Sequence, residues 1–219
     1  MTFQLGYTVV TFSITTFSTR ALSHDRDETG TLHPLLSARR SPRAFDAAHE
    51  LDDGALTALL EAARWAPSAN NSQPWRFGVT RRGEPAFDAL FDALMPGNQL
   101  WARRASALVL VAAADADSTG RHLPWARYDT GQAVAHLTVQ AQAEGLVVHQ
   151  LGGFDPQAAA RAFDLPAGVT PVVVVAVGAH DPDAALPEPL AERERAPRTR
   201  AGLDQLVLQP AAQALPLSA

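Results

Sequence analysis

Apolar and polar positions alternate between two rhythms along this chain. From Leu51 to Ala66, LDDGALTALLEAARWA places Leu56, Leu59, Leu60 and Ala63 at i, i+3, i+4 and i+7, one face of a helix. Asp52 or Asp53 can cap its start, and Pro67 stops it. Phe87, Leu90, Phe91 and Leu94 repeat the spacing in a second helix. A long helix is predicted over 127–144, with Val134, Leu137, Ala141 and Gly145 on one side. FDPQAAARAF opens a further helix, with Asp155 as cap and Pro156 at the first helical position. Leu32, Leu35 and Leu36 share a short helical face near where the core begins.

Between these stretches the apolar residues run continuously. ALVLVAAA at 107–114, LVVH at 146–149 and PVVVVAVG at 171–178 predict strands, the last expected to be the most buried, and LVL at 206–208 predicts a final strand. Helices and strands interleave with no internal repeat, so the class is α/β or α+β around one sheet. Residues 1–30 differ. Eight of the first nineteen are Ser or Thr, interleaved with Phe3, Tyr7, Phe12 and Phe17. They read as an N-terminal extension, either a floppy leader or an added edge strand, joined by the polar linker HDRDETG at 24–30. The core domain is expected over 31–210, with 211–219 as a C-terminal tail.

Composition narrows the chemistry. The 219 residues hold no Cys, which removes disulfides, thiol nucleophiles and iron–sulfur ligation. All 18 cations are Arg, so a P-loop lysine and a Schiff-base lysine are excluded. No G-x-S-x-G, H-E-x-x-H or G-x-G-x-x-G is found, and the seven His have no metal-ligand spacing. A net charge of −5 implies no general attraction to nucleic acid. No apolar run reaches transmembrane length, and there is no signal-peptide pattern. The expectation is a cytoplasmic protein without membrane or nucleic-acid partners.

Four short constellations carry what remains. RRSPRAF, 39–45, sets three Arg around one hydroxyl, a set of forked and neutral donors suited to phosphate oxygens. In APRTR, Arg198 and Arg200 alternate, so an extended backbone aims both at one target. Two Arg clusters in a net-acidic chain can serve one anion together. APSANNSQPW, 66–75, is dense in amides and hydroxyls that can read a planar heterocycle, though Asn, Ser and Pro also suit an ordinary turn. LGGFDP, 151–156, puts two Gly after a strand, which allows close approach of a ligand or simply a tight turn.

In this order, with YDTGQAVAHLTVQAQAEGL at 128–146 resembling a central helix, these motifs resemble the flavin-dependent nitroreductase family over about residues 32–208. The resemblance implies a nitroreductase-like α+β fold, with a central mixed, mostly antiparallel sheet flanked by helices. It also implies a homodimer holding FMN noncovalently at the subunit interface. On that reading Arg39, Ser41 and Arg43, with Arg40 beside them, meet the phosphate, ribityl chain or pyrimidine edge. Arg198 and Arg200 face the phosphate. Pro67, Ser68, Ala69 and Asn71 come from the partner subunit against the benzenoid side. Gly152 and Gly153 bring a backbone N–H toward flavin N5, and Asn98 bonds the pyrimidine ring.

No side chain need act as acid or base, because hydride would be carried by FMN N5. NADH or NADPH would be the reductant. A nitroaromatic, quinone or similar flat small molecule would be the acceptor, in ping-pong alternation. Other flavin chemistry in the family (dehydrogenation, dehalogenation, flavin fragmentation) and a noncatalytic flavin binder are the alternatives. Three positions depart from the pattern. Trp101 stands where some members have Lys, Gly152 where others have Glu, and Ala69 where others carry a hydroxyl. Trp101, Trp125 and Tyr128 read first as core packing, with the wall of an acceptor pocket as the alternative.

Overall fold

The structure is a computed structural model that describes residues 31–208. The readings made for residues 1–30 and 211–219 lie outside the described residues. Four strands form one sheet in the order β1 (Trp75–Arg81), β2 (Ala107–Ala114), β4 (Val169–Gly178) and β3 (Val147–Leu151). All three pairings are antiparallel, so no parallel pair is present among the described residues.

Helices cover both faces of this sheet, which explains the continuous apolar runs. On β2 the even positions Leu108 and Leu110 point to one face, where Phe87, Leu90 and Phe91 of α3 (Pro85–Asp92) pack. Trp101 of α4 (Pro96–Ala102) and Ala159 of α6 (Pro156–Ala162) join them. The odd positions Ala107, Val109 and Val111 point to the other face. There they meet Leu59 and Ala63 of α2 (Asp53–Arg64) and Val134, Leu137 and Ala141 of α5 (Ala126–Ala143). Every residue of β2 is buried, as a central strand covered on two faces requires.

Local chemistry sets the boundaries. Asp52 caps α2 by accepting the Ala55 N–H at 2.7 Å. Asp155 caps α6 through the N–H groups of Gln157 and Ala158, ahead of Pro156. α5 ends where Gly145 takes φ +73°, and the Leu146 N–H folds back to the Ala141 carbonyl at 2.8 Å. Gly145 is therefore the helix stop and not part of the buried face. Gly78 is dictated by packing: a Cβ there would lie 2.6 Å from the Phe163 ring.

Two strand expectations need correcting. β4 is less buried than β2, because β3 pairs only with Val174–Gly178 and leaves Val169–Val173 without a neighbour on that side. Residues 203–206 form a helical turn, α8 (Leu203–Leu206), and Val207 and Leu208 join no strand. This segment pairs with none of the four strands, and Leu203, Leu206 and Leu208 stay exposed.

Candidate functional site

The segment 39–43 leaves α1 (Pro34–Ala38) as extended backbone and is pinned beyond its end by Phe45, which bridges to His180 after β4. The Asp46 N–H donates to the Ala179 carbonyl, and the Asp181 N–H to that of Ala44, each at 3.0 Å. The far end of the chain comes back to the same place. α7 (Glu188–Arg195) leads into 196–200, where Arg198 donates from Nη1 to the Arg39 carbonyl and from Nη2 to the Ser37 carbonyl, both at 2.6 Å. Arg40 reciprocates with a 3.2 Å bond to the Ala196 carbonyl. Residues more than 150 apart in sequence thus share one open cleft of about 270 Å³.

Its lining includes Arg39, Arg40, Ser41, Arg43, Arg198 and Arg200, so two separate predicted clusters are brought together. The sequence reading missed Arg193 and Glu194, which α7 adds to the same walls. The signal was present in ERERAPRTR, whose last helical turn runs straight into the extended Arg pair. Six arginines therefore face one glutamate, a strongly cationic cleft in a net-acidic chain. The Glu194 carboxylate accepts the Arg43 backbone N–H at 3.0 and 3.2 Å and lies 3.8 Å from the Arg43 guanidinium. Among the described residues, Arg39, Arg40 and Arg200 form no ion pair with a carboxylate. Burial, and then the charges of Arg198 and Arg200, hold the Arg39 guanidinium below its ordinary pKa. That repulsion is what a bound anion relieves. Arg39 also donates to the Ser41 Oγ at 2.9 Å, which aims the hydroxyl among the guanidinium groups.

The remaining predicted residues fall into two other places within one chain. Asn98 and the glycine pair meet: the Asn98 Nδ2 donates to the Gly153 carbonyl at 2.8 Å, and the Met95 N–H shares that oxygen at 3.0 Å. A Cβ on Gly153 would sit 3.0 Å from the Asn98 Nδ2, whereas one on Gly152 would meet nothing within 4 Å. A side chain at Gly153 would press on the Asn98 amide, and the Gly152 backbone borders open space. Pro67, Ser68, Ala69 and Asn71 belong to a loop around a 3₁₀ turn at Ala69–Asn71. Ala69 helps line a smaller cavity of about 150 Å³, together with Ser72, Arg121, His122 and Trp125. The two cavities have no lining residue in common.

The aromatic candidates divide. Trp101 is core, 2% exposed, with its indole stacked on Phe45 at 5.9 Å and against the His149 ring at 4.6 Å. His149 in turn donates from Nδ1 to the Pro42 carbonyl at 3.1 Å. Burial, and then the Arg43 charge, lower its pKa and so favour the neutral ring. Position 101 is thus a packed indole inside the core. Trp125 and Tyr128 are not core. They are 60% and 66% exposed and meet edge to face at 6.4 Å.

The nitroreductase family model matches residues 36–98 and 79–179. The chain belongs to the nitroreductase family. Among solved structures, an oxidoreductase containing FMN is 34% identical, with a TM-score of 0.77 over 84% of this chain and 94% of the other. A structure from Desulfovibrio desulfuricans, in complex with FMN, is 26% identical, with a TM-score of 0.65 over 82% and 98% of the two chains. The 5,6-dimethylbenzimidazole synthase of Rhodospirillum rubrum is 32% identical over 67% of this chain and 81% of its own length. The nitroreductase fold accounts for the antiparallel sheet with helices on both faces. Among the described residues, no helix is long and apolar enough to cross a membrane.

Proposed function

We propose that this nitroreductase-family chain is an FMN-dependent oxidoreductase that takes hydride from NADH or NADPH and reduces nitroaromatics, quinones or similar flat acceptors. The observation that carries the reading is the convergence of residues 39–43 and 193–200 on one cleft lined by six arginines and one glutamate. A phosphate monoester dianion answers that charge, and a flavin mononucleotide brings one. The residues fit the group in a second respect, because the Gly152 backbone borders open space that a side chain would otherwise fill.

In this account Arg39, Arg43, Arg198 and Arg200 bind the phosphate end, with Arg40 and Ser41 beside them. Asn98, Gly152 and Gly153 border the ring, with the Gly153 carbonyl already fixed by Asn98. Bound FMN supplies the hydride chemistry, and the protein contributes position, charge and shielding. The chain acts as a homodimer in the cytoplasm. The loop Pro67–Asn71 then reaches the ring bound by the partner's cleft, since in its own chain it lies at a different cavity. Exposed Trp125 and Tyr128, with small Gly131 and Ala135 on the outer side of α5, offer an apolar seam for such a pairing.

The test is spectroscopic. Protein loaded with FMN should bleach on anaerobic addition of NADH or NADPH and recover its colour with a quinone or nitroaromatic. A bound flavin that neither nucleotide bleaches leaves a binding protein instead. The likeness to the R. rubrum synthase favours a second reading, in which the bound flavin is itself consumed. Aerobic turnover of reduced FMN that yields 5,6-dimethylbenzimidazole would select it; intact FMN after many turnovers would exclude it.

A further inference from the structure

The loop 68–73 has an unusual backbone. Asn70, Asn71 and Gln73 take φ values of 52°, 55° and 46°, the left-handed region that residues with a Cβ disfavour. Three such residues in four need something to hold them. Most of the loop's hydrogen bonds travel with it: Asn71 N–H to the Ser68 carbonyl, Ser72 N–H to the Ala69 carbonyl, and Gln73 N–H to the Ser68 Oγ. The Gln73 carbonyl accepts from Arg76, three residues on. Among the described hydrogen bonds of residues 68–73, the one from the Ala69 N–H to the Asp129 Oδ2, at 3.0 Å, alone reaches a distant element.

Asp129 is unusual in its turn. It is 2% exposed, and among the described residues its other oxygen has one long contact, 3.5 Å from the Gln132 Nε2. A carboxylate is seldom buried with so little satisfaction. Its place explains how it persists. It lies in the first turn of the 18-residue helix α5, where the helix dipole favours negative charge. A charge-assisted bond to a backbone N–H is also the stronger kind.

We infer that Asp129 is a positioning residue for this loop: its carboxylate fastens the Ala69 N–H to the end of α5 and so presents residues 69–73 as a preformed surface. Resting on the flavin reading above, that surface is the one that meets the ring, so the anchor sets ring affinity without touching the phosphate. The anchor also ties the loop to the helix turn that carries Trp125 and Tyr128, so both sides of the smaller cavity move as one.

The experiment combines amide exchange with flavin binding. In the unaltered protein the Ala69 amide should exchange much more slowly than that of Asn70, which has no acceptor among the described residues. Asp129→Ala should speed exchange across 69–73 by about tenfold or more, the loss expected of one charge-assisted bond. It should also weaken FMN and riboflavin by the same factor, because the ring and not the phosphate is affected. Asp129→Asn, whose amide oxygen still accepts from Ala69, should restore most of both properties. An unprotected Ala69 amide in the unaltered protein overturns the anchor even if the alanine variant fails to fold. So does unchanged exchange in Asp129→Ala, and faster exchange with unchanged flavin binding overturns its link to the ring. If the unaltered protein binds no FMN, the cofactor reading fails by itself, and exchange at Ala69 still decides the anchor.

Discussion

Replacing Trp101 with alanine tests the core and the site together. The indole is almost fully buried, stacked on Phe45 and in tilted contact with the His149 ring. Removing a large aromatic side chain from such a position costs about 3–5 kcal/mol through lost transfer energy and the cavity left behind. That is a large part of the roughly 5–15 kcal/mol that holds a domain folded. With a urea dependence of about 3 kcal/mol per molar, the midpoint should fall by about 1–1.7 M at unchanged slope. The melting temperature should drop by about 6–20 °C for a chain of this size. Equilibrium urea unfolding followed by far-UV circular dichroism reads both midpoint and slope. A loss below about 1 kcal/mol would refute the reasoning, since a side chain on the wall of an open pocket costs little to truncate. A second consequence follows from His149, which rests on the indole and holds the Pro42 carbonyl. At temperatures where Trp101→Ala remains folded, the cationic segment 39–43 should still be looser and retain anions less well.

Other outcomes follow from the cleft. Arg200→Ala should weaken FMN about tenfold or more by equilibrium dialysis, as expected for one charge-assisted contact. Arg198→Ala should cost at least as much, because Arg198 also clamps the carbonyls of Ser37 and Arg39; unchanged retention in both variants contradicts the phosphate assignment. Glu194→Gln keeps an acceptor for the Arg43 N–H while removing the one negative charge in the cleft lining, so FMN should bind severalfold tighter at low salt, and weaker binding would show that the charge itself orders the segment. The pKa of His149 lies below the ordinary imidazole value near 6.5, first through burial and then through Arg43. The unfolded chain therefore takes up that proton first, and stability should fall as pH drops below about 6.5. His180 is lowered too, mainly by burial, and acts in the same direction. Urea midpoints at pH 7 and 5.5 should differ less in His149→Gln than in the unaltered protein.

What could be read in the sequence was whatever local chemistry decides. Asp52, Asp155 and Pro156 mark helix starts by capping, and the two-rhythm pattern marks β2 and α5, because those signals depend on neighbours in the chain. The contents of the cleft were half visible: RRSPR and RTR announce cations, but that they share walls with Arg193 and Glu194 depends on where α7 packs. Burial misled where tertiary context decides. Pro171–Val173 read as part of the most buried strand, yet they lie beyond the end of β3. LVL at 206–208 has strand composition, yet Leu206 ends a helical turn and the segment pairs with no strand. Trp125 and Tyr128 look like core and face outward. The Ala69–Asp129 bond could not be read at all, because nothing local links a loop amide to a carboxylate 60 residues away.

The most direct measurement compares FMN with riboflavin, which differ by the phosphate alone, by titration of the flavin-free protein followed in the visible spectrum. One FMN should bind per chain, with riboflavin bound at least about a hundredfold more weakly, the worth of two charge-assisted contacts. Equal affinity for the two flavins, or no uptake of either, would contradict it.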